Sequence, residues 1–143
     1  MNAATTHKPL AVVAVGGNAL IRDDLHMALA DQYAAVCATA THVAGMVAAG
    51  WNVVLTHGNG PQVGFILRRS EIADGQVPTV PVQYAVGDTQ GAIGFMFQNA
   101  LGNALLHRGM RVPTVTLVTQ TLVDRRDPAF ERPDKPIGSF MSE

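Results

Sequence analysis

Trp51–Gly64, WNVVLTHGNGPQVG, sets an apolar run against the turn His57-Gly58-Asn59-Gly60 and then against Pro61, a residue suited to opening a helix. The order reads as strand, glycine-rich turn, helix N-terminus. Two glycines around Asn59 allow a sharp turn and bring backbone N–H groups close to a ligand. The helix that follows points its unpaired N–H groups and positive dipole end at the same place, so the pattern suits an anion.

Working upstream, Leu10–Val15 runs without polar alternation into Gly16-Gly17-Asn18-Ala19, a second strand-to-glycine turn. A continuous β-branched run of this kind predicts a strand buried on both faces of a parallel sheet. In open α/β sheets ligands gather at the carboxyl ends of parallel strands, so the two loops are expected to face one another in one site.

The rest of the chain sets limits. Its 143 residues, 48% hydrophobic and 15% charged, are one domain's worth and enough for a core. A net charge of −1, with no basic block beyond Arg68-Arg69 and Arg125-Arg126, argues against nucleic acid as a partner. Cys37 is the only cysteine, which excludes an intrachain disulfide and a cysteine-rich metal site and fits a reducing cytoplasm. The apolar run before Gly16 is too short for a signal-peptide core or a membrane span, so neither export nor membrane insertion is expected.

From about Met27 to Ala49, Tyr33, Val36, Cys37, Ala40, Val43, Ala44 and Val47 recur at helical spacing and Gly50 stands where a C-cap glycine belongs. Pro61–Ala73 predicts a second helix. Val82–His107 is helical in pattern but carries Gly87, Gly91, Gly94 and Gly102, which implies close backbone packing or a break near Gly87-Asp88. Arg111–Val118 predicts a third strand and Gln120–Val123 the start of a fourth; from Asp124 the texture turns proline-rich and charged, an excursion from the core. The expected fold class is α/β, a mainly parallel, right-handed sheet with helices on both faces.

Several phosphate motifs are separable here. A Walker A loop needs Gly-Lys-Ser/Thr after four spacer residues, but the nearest match, Gly45 to Gly50, continues into Trp51-Asn52. A dinucleotide G-x-G-x-x-G needs glycine at Val63, whereas the third glycine is Gly64. Plain alternatives stand beside the functional reading: Gly58 and Gly60 serve a tight turn, Asn18 and Asn59 are left-handed turn residues or caps, and Lys135 is a solvated lysine. His57 is read as orienting its loop. His7, His26, His42 and His107 show no metal spacing, and no metal site is expected; Cys37 lies on the apolar stripe and is expected in the core.

Four ordered blocks carry a resemblance: Gly16-Gly17-Asn18-Ala19-Leu20, His57-Gly58-Asn59-Gly60-Pro61-Gln62-Val63-Gly64, Thr89-Gln90-Gly91-Ala92-Ile93-Gly94 and Lys135-Pro136-Ile137-Gly138. In this order, across Leu10 to Phe140, the chain resembles the carbamate kinases of the amino-acid kinase superfamily. General amino-acid kinases carry a lysine two residues before the double glycine; Ala14 stands there, as in carbamate kinases. The resemblance implies a three-layer αβα fold and reversible phosphoryl transfer between carbamoyl phosphate plus ADP and carbamate plus ATP, in arginine or related nitrogen catabolism. Such a reaction asks mainly for positioning and for donors aimed at the phosphoryl oxygens.

By the same resemblance Gly16, Gly17 and Asn18 line the phosphoryl group, Gly58, Asn59 and Gly60 the carbamoyl end, and Lys135 reaches in as a cation. Lys135 and Asn18 are the expected catalytic residues. Residues 1–143 correspond to the acid- and phosphate-substrate half, with about 124–143 beginning a protruding subdomain. The family's nucleotide half lies outside this chain, so Mg-ATP or Mg-ADP is a co-substrate with no residue here assigned to it. The expectation is therefore a fragment or truncated half, inactive by itself, of an enzyme that is a homodimer when complete. Another acid or phosphate kinase of the superfamily, or a non-catalytic anion-binding module, stays open.

Overall fold

The computed structural model describes residues 7–21, 23, 25–135 and 137, with the backbone alone for Asn18. The elements in order are strand β1 (Leu10–Val15), a 3-10 turn (Gly17–Ala19), helix α1 (Leu29–Ala48), strand β2 (Asn52–His57), helix α2 (Gly60–Ile72), helix α3 (Val82–Leu106) and a 3-10 turn (Pro128–Phe130). They fall into two compact units. The first comprises the chain up to Gly58 with Phe95–Val115, the second Asn59–Gly94 with Thr116 onward.

In the first unit β1 and β2 pair in parallel, in register from Leu10 opposite Asn52 to Val15 opposite His57. Parallel neighbours require a crossover, and α1 supplies it. The ladder is closed at both ends: Asn52 N–H donates to the Pro9 carbonyl at 2.8 Å and Gly58 N–H to the Val15 carbonyl at 2.8 Å. The apolar stripe of α1 behaves as its spacing predicts, with Ala35, Val36, Ala40, Val43 and Ala44 buried, while Cys37 is only half-buried. Val15, Leu20, Gln32, Phe97, Ala100 and Leu105 are buried with that stripe. Gly50 takes φ +94°, the left-handed value that favours glycine at a helix end. One face of the ladder is open: Leu10, Val12 and Val54 are 62%, 67% and 46% exposed, so β1 is not covered on both sides.

In the second unit α2 begins at Gly60 with Pro61 in its first turn, where a missing N–H costs nothing. Gln62, Val63, Ala85, Thr89 and Ile93 are buried in this unit. Helix α3, whose residues are divided between the two units at Gly94, is continuous, without a break at Gly87-Asp88. Of its four glycines only Gly94 meets a close neighbour, the Thr116 side chain, which occupies the place of a Cβ.

The expected strands at Arg111–Val118 and Gln120–Val123 do not form; among the described residues the sheet has two strands. Pro113 removes a ladder donor from the middle of the first. Its flanking polar groups are taken by glutamines of α3. Gln98 Nε2 donates to the Thr114 carbonyl at 3.0 Å, and Thr119 N–H donates to Gln90 Oε1 at 2.7 Å. The parallel α/β class holds, with fewer strands than expected.

Candidate functional site

The first unit brings the two glycine turns together. After Val15 the chain turns at Gly16, which is extended at φ −64° and ψ 154°, into the 3-10 turn closed by Ala19 N–H on the Gly16 carbonyl at 3.0 Å and Leu20 N–H on the Gly17 carbonyl at 3.2 Å. Gly58 follows β2 directly and lies against this turn. A Cβ built on Gly58 falls 2.8 Å from the Gly17 nitrogen, closer than side chains are tolerated, and 3.6 Å from the Gly16 carbonyl carbon, an ordinary contact. The contact is backbone on backbone and admits only glycine at 58. The two glycine turns thus meet at the carboxyl ends of adjacent parallel strands, the place where such sheets take their ligands, with the Gly58 N–H itself committed to the Val15 carbonyl.

His57, the last residue of β2, is half-buried and its Nδ1–H donates to the Gly58 carbonyl at 3.3 Å, a contact with its own turn. The Asn18 side chain lies outside the described residues, so its expected place on the phosphoryl group has no geometry here.

In the second unit Asn59 and Gly60, half-buried, form the start of α2. Asn59 occupies the N-cap position at φ −143° and ψ 12°, not the left-handed region, and its side chain makes no capping bond. It is engaged elsewhere. Asn59 Nδ2 donates to Thr89 Oγ1 at 2.9 Å, and Thr89 Oγ1 donates to the Val86 carbonyl at 2.9 Å. Thr89, 3% exposed, was not singled out as a site residue by the sequence. The signal available was its position at the head of the Thr89–Gly94 block, too weak alone because a helical threonine usually serves its own helix.

Lys135 is exposed and makes no ion pair among the described residues; Pro136, Gly138 and the remainder of its block lie outside them, except for the exposed Ile137. The stretch from Asp124 to Lys135 is exposed throughout, with Asp127 Oδ1 accepting from Ala129 N–H at 2.9 Å to cap the short turn at Pro128–Phe130. Arg126 holds the Asp124 carboxyl below the usual carboxylate range.

An open groove of about 470 Å³ is lined by Leu67, Ser70, Glu71, Asp74, Thr79 and Val80. Two carboxylates and no cation on its wall make it a poor anion site. No group of three metal-ligating side chains occurs among the described residues, and no described helix is long and apolar enough to cross a membrane.

No protein-family model matches the chain. Individual proteins do. The carbamate kinase-like protein YahI of Escherichia coli is 49% identical over 138 residues, 95% of this chain and 43% of its own length. The carbamate kinase of Pyrococcus furiosus is 43% identical over 134 residues, 92% of this chain and 43% of its own. Among solved structures, Giardia carbamate kinase superposes with a TM-score of 0.90 at 38% identity, covering 96% of this chain and 46% of the Giardia chain. The Giardia lamblia enzyme bound to AMP-PNP gives 0.87 at the same identity. The chain spans about 43% of the length of the curated relatives it matches.

Proposed function

We propose that this chain, a relative of the carbamate kinases along 92–95% of its length, binds carbamoyl phosphate and supplies the acid- and phosphate-substrate side of carbamate kinase chemistry. The observation that carries this reading is the backbone contact of Gly58 on Gly17, which joins two glycine turns at the carboxyl ends of β1 and β2. Backbone N–H groups at such a place are fixed dipoles. They stabilise charge on a phosphoryl group without needing to reorganise as it moves.

Gly16, Gly17 and Asn18 are assigned to the transferred phosphoryl group, and Gly58, Asn59 and Gly60 to the carbamoyl end. Lys135 is assigned as the cation that neutralises developing charge, with Asn18 as the second catalytic residue. These roles rest on the four sequence blocks; Lys135, exposed and unpaired by any carboxylate among the described residues, keeps its charge available for a phosphate. His57 needs no general-base role, because carbamate is already an anion, and its bond to the Gly58 carbonyl suits it to hold the turn. The nucleotide, ADP or ATP with magnesium, is the co-substrate of the complete reaction. That the Giardia lamblia carbamate kinase has been solved bound to AMP-PNP supports the nucleotide part of the reading. The protein is proposed to be cytoplasmic, in a route of arginine or related nitrogen catabolism, and a homodimer in its complete form.

The test pairs two measurements on the 143-residue chain. Calorimetric titration with carbamoyl phosphate is expected to show saturable binding, and a coupled assay with carbamoyl phosphate and ADP no ATP. Absence of binding overturns the assignment of substrate; ATP formation overturns the division of labour.

A further inference from the structure

Asparagine at a helix N-cap ordinarily turns its side-chain oxygen onto the first-turn N–H groups. Asn59 does not, because its carboxamide is held by Thr89 on α3. The direction of that hold follows from proton counting. A threonine hydroxyl has one proton, and Thr89 spends it on the Val86 carbonyl at 2.9 Å. Toward Asn59 it acts only as an acceptor, so Asn59 must present Nδ2 to it, and Oδ1 becomes the end turned away from Thr89. Thr89 is 3% exposed, so its hydroxyl is shielded from water.

We infer that Thr89 is a specificity-determining positioning residue: by fixing the carboxamide of Asn59 with its acceptor end outward, it makes that residue read an N–H donor on the ligand. This rests on the assignment of Asn59 to the carbamoyl end. A carbamoyl group carries an NH2 where an acetyl group of the same shape carries CH3, so an outward Oδ1 favours carbamoyl phosphate over acetyl phosphate. With the carboxamide reversed, Nδ2 would meet the NH2 and no hydrogen bond would form. Thr89 touches no ligand in this account; its effect passes through Asn59.

The experiment compares binding of carbamoyl phosphate and acetyl phosphate to the full chain and to Thr89→Val and Thr89→Ser. The wild-type chain is expected to prefer carbamoyl phosphate by about tenfold, the scale of one hydrogen bond. Thr89→Val keeps the shape, loses the hydroxyl and is expected to bring the ratio close to one, while Thr89→Ser restores it. A purely structural role would weaken both ligands together and leave the ratio unchanged, which overturns the inference, as does equal binding of the two by wild type. Binding of neither ligand by wild type overturns the substrate assignment and the inference with it. Should circular dichroism show Thr89→Val unfolded, Asn59→Leu replaces it, since the Asn59 side chain caps nothing. Loss of preference there supports the inference and a retained preference overturns it.

Discussion

Leu10–Val15 with Asn52–His57 and Arg111–Val118 are alike in composition, rich in valine and marked for extended backbone, yet the first two form a ladder and the third forms none. The difference lies in what each stretch finds for its backbone groups. β1 and β2 are joined by a helix of the right length to return the chain beside itself, so each supplies the other's donors and acceptors. Residues 111–118 have no strand beside them among the described residues, and Pro113 lacks a donor; glutamine side chains meet the Thr114 carbonyl and, just beyond the stretch, the Thr119 N–H. Valine content expresses suitability for a pleated surface, whereas a strand also needs a neighbour.

The comparison is broken most severely by proline in the ladder. The N–H groups of Asn52 and Gly58 both point to β1, and parallel pairing alternates, so that of Val54 does too. Val54→Pro is expected to cost about 2–3 kcal/mol, one ladder bond with its clash. Val115→Thr, at a position 77% exposed, is expected to change stability by less than about 0.5 kcal/mol. Urea unfolding of both variants checks the contrast.

Gly58→Ala comes next, at about 1–3 kcal/mol, because its Cβ meets backbone that cannot step aside. Gly16→Ala, with open space around the added carbon and φ already negative, is the near-neutral control in the same denaturation series. Smaller again is Gln90→Leu, about 1 kcal/mol or less for a bond at an exposed site. Its readout is local: faster amide exchange at Thr119 with unchanged protection in β1 and β2.

The smallest effect concerns pH. Partial burial holds the Tyr33 phenol above its ordinary value of 10.0, aided by the neighbouring Cys37. A raised folded value means the neutral phenol is favoured in the folded state, so its stabilisation is complete below about pH 10 and lost as pH rises beyond it. Tyr33→Phe is expected to flatten the alkaline end of the stability profile measured by denaturant titration.

Much of this was legible in the residues. Glycines after apolar runs marked both turns, and helical spacing marked α1 with its core face, because both signals are local and period-bound. Two features were not legible. Arg111–Val118 reads as a strand until its lack of a partner is known, and Thr89 reads as an ordinary helical threonine until the fold brings Asn59 to it from 30 positions away. Pairing and long-range hydrogen bonds belong to tertiary structure, and no spacing rule in one sequence encodes them.

The central claim is that the paired turns around Gly17 and Gly58 hold carbamoyl phosphate. Titration of the 15N-labelled chain with carbamoyl phosphate, followed by amide spectra, tests it most directly. The account predicts saturable shifts at Gly16, Gly17 and Gly58 that vanish in Gly58→Ala; shifts confined to Ser70 and Thr79 of the open groove, or none at all, would contradict it.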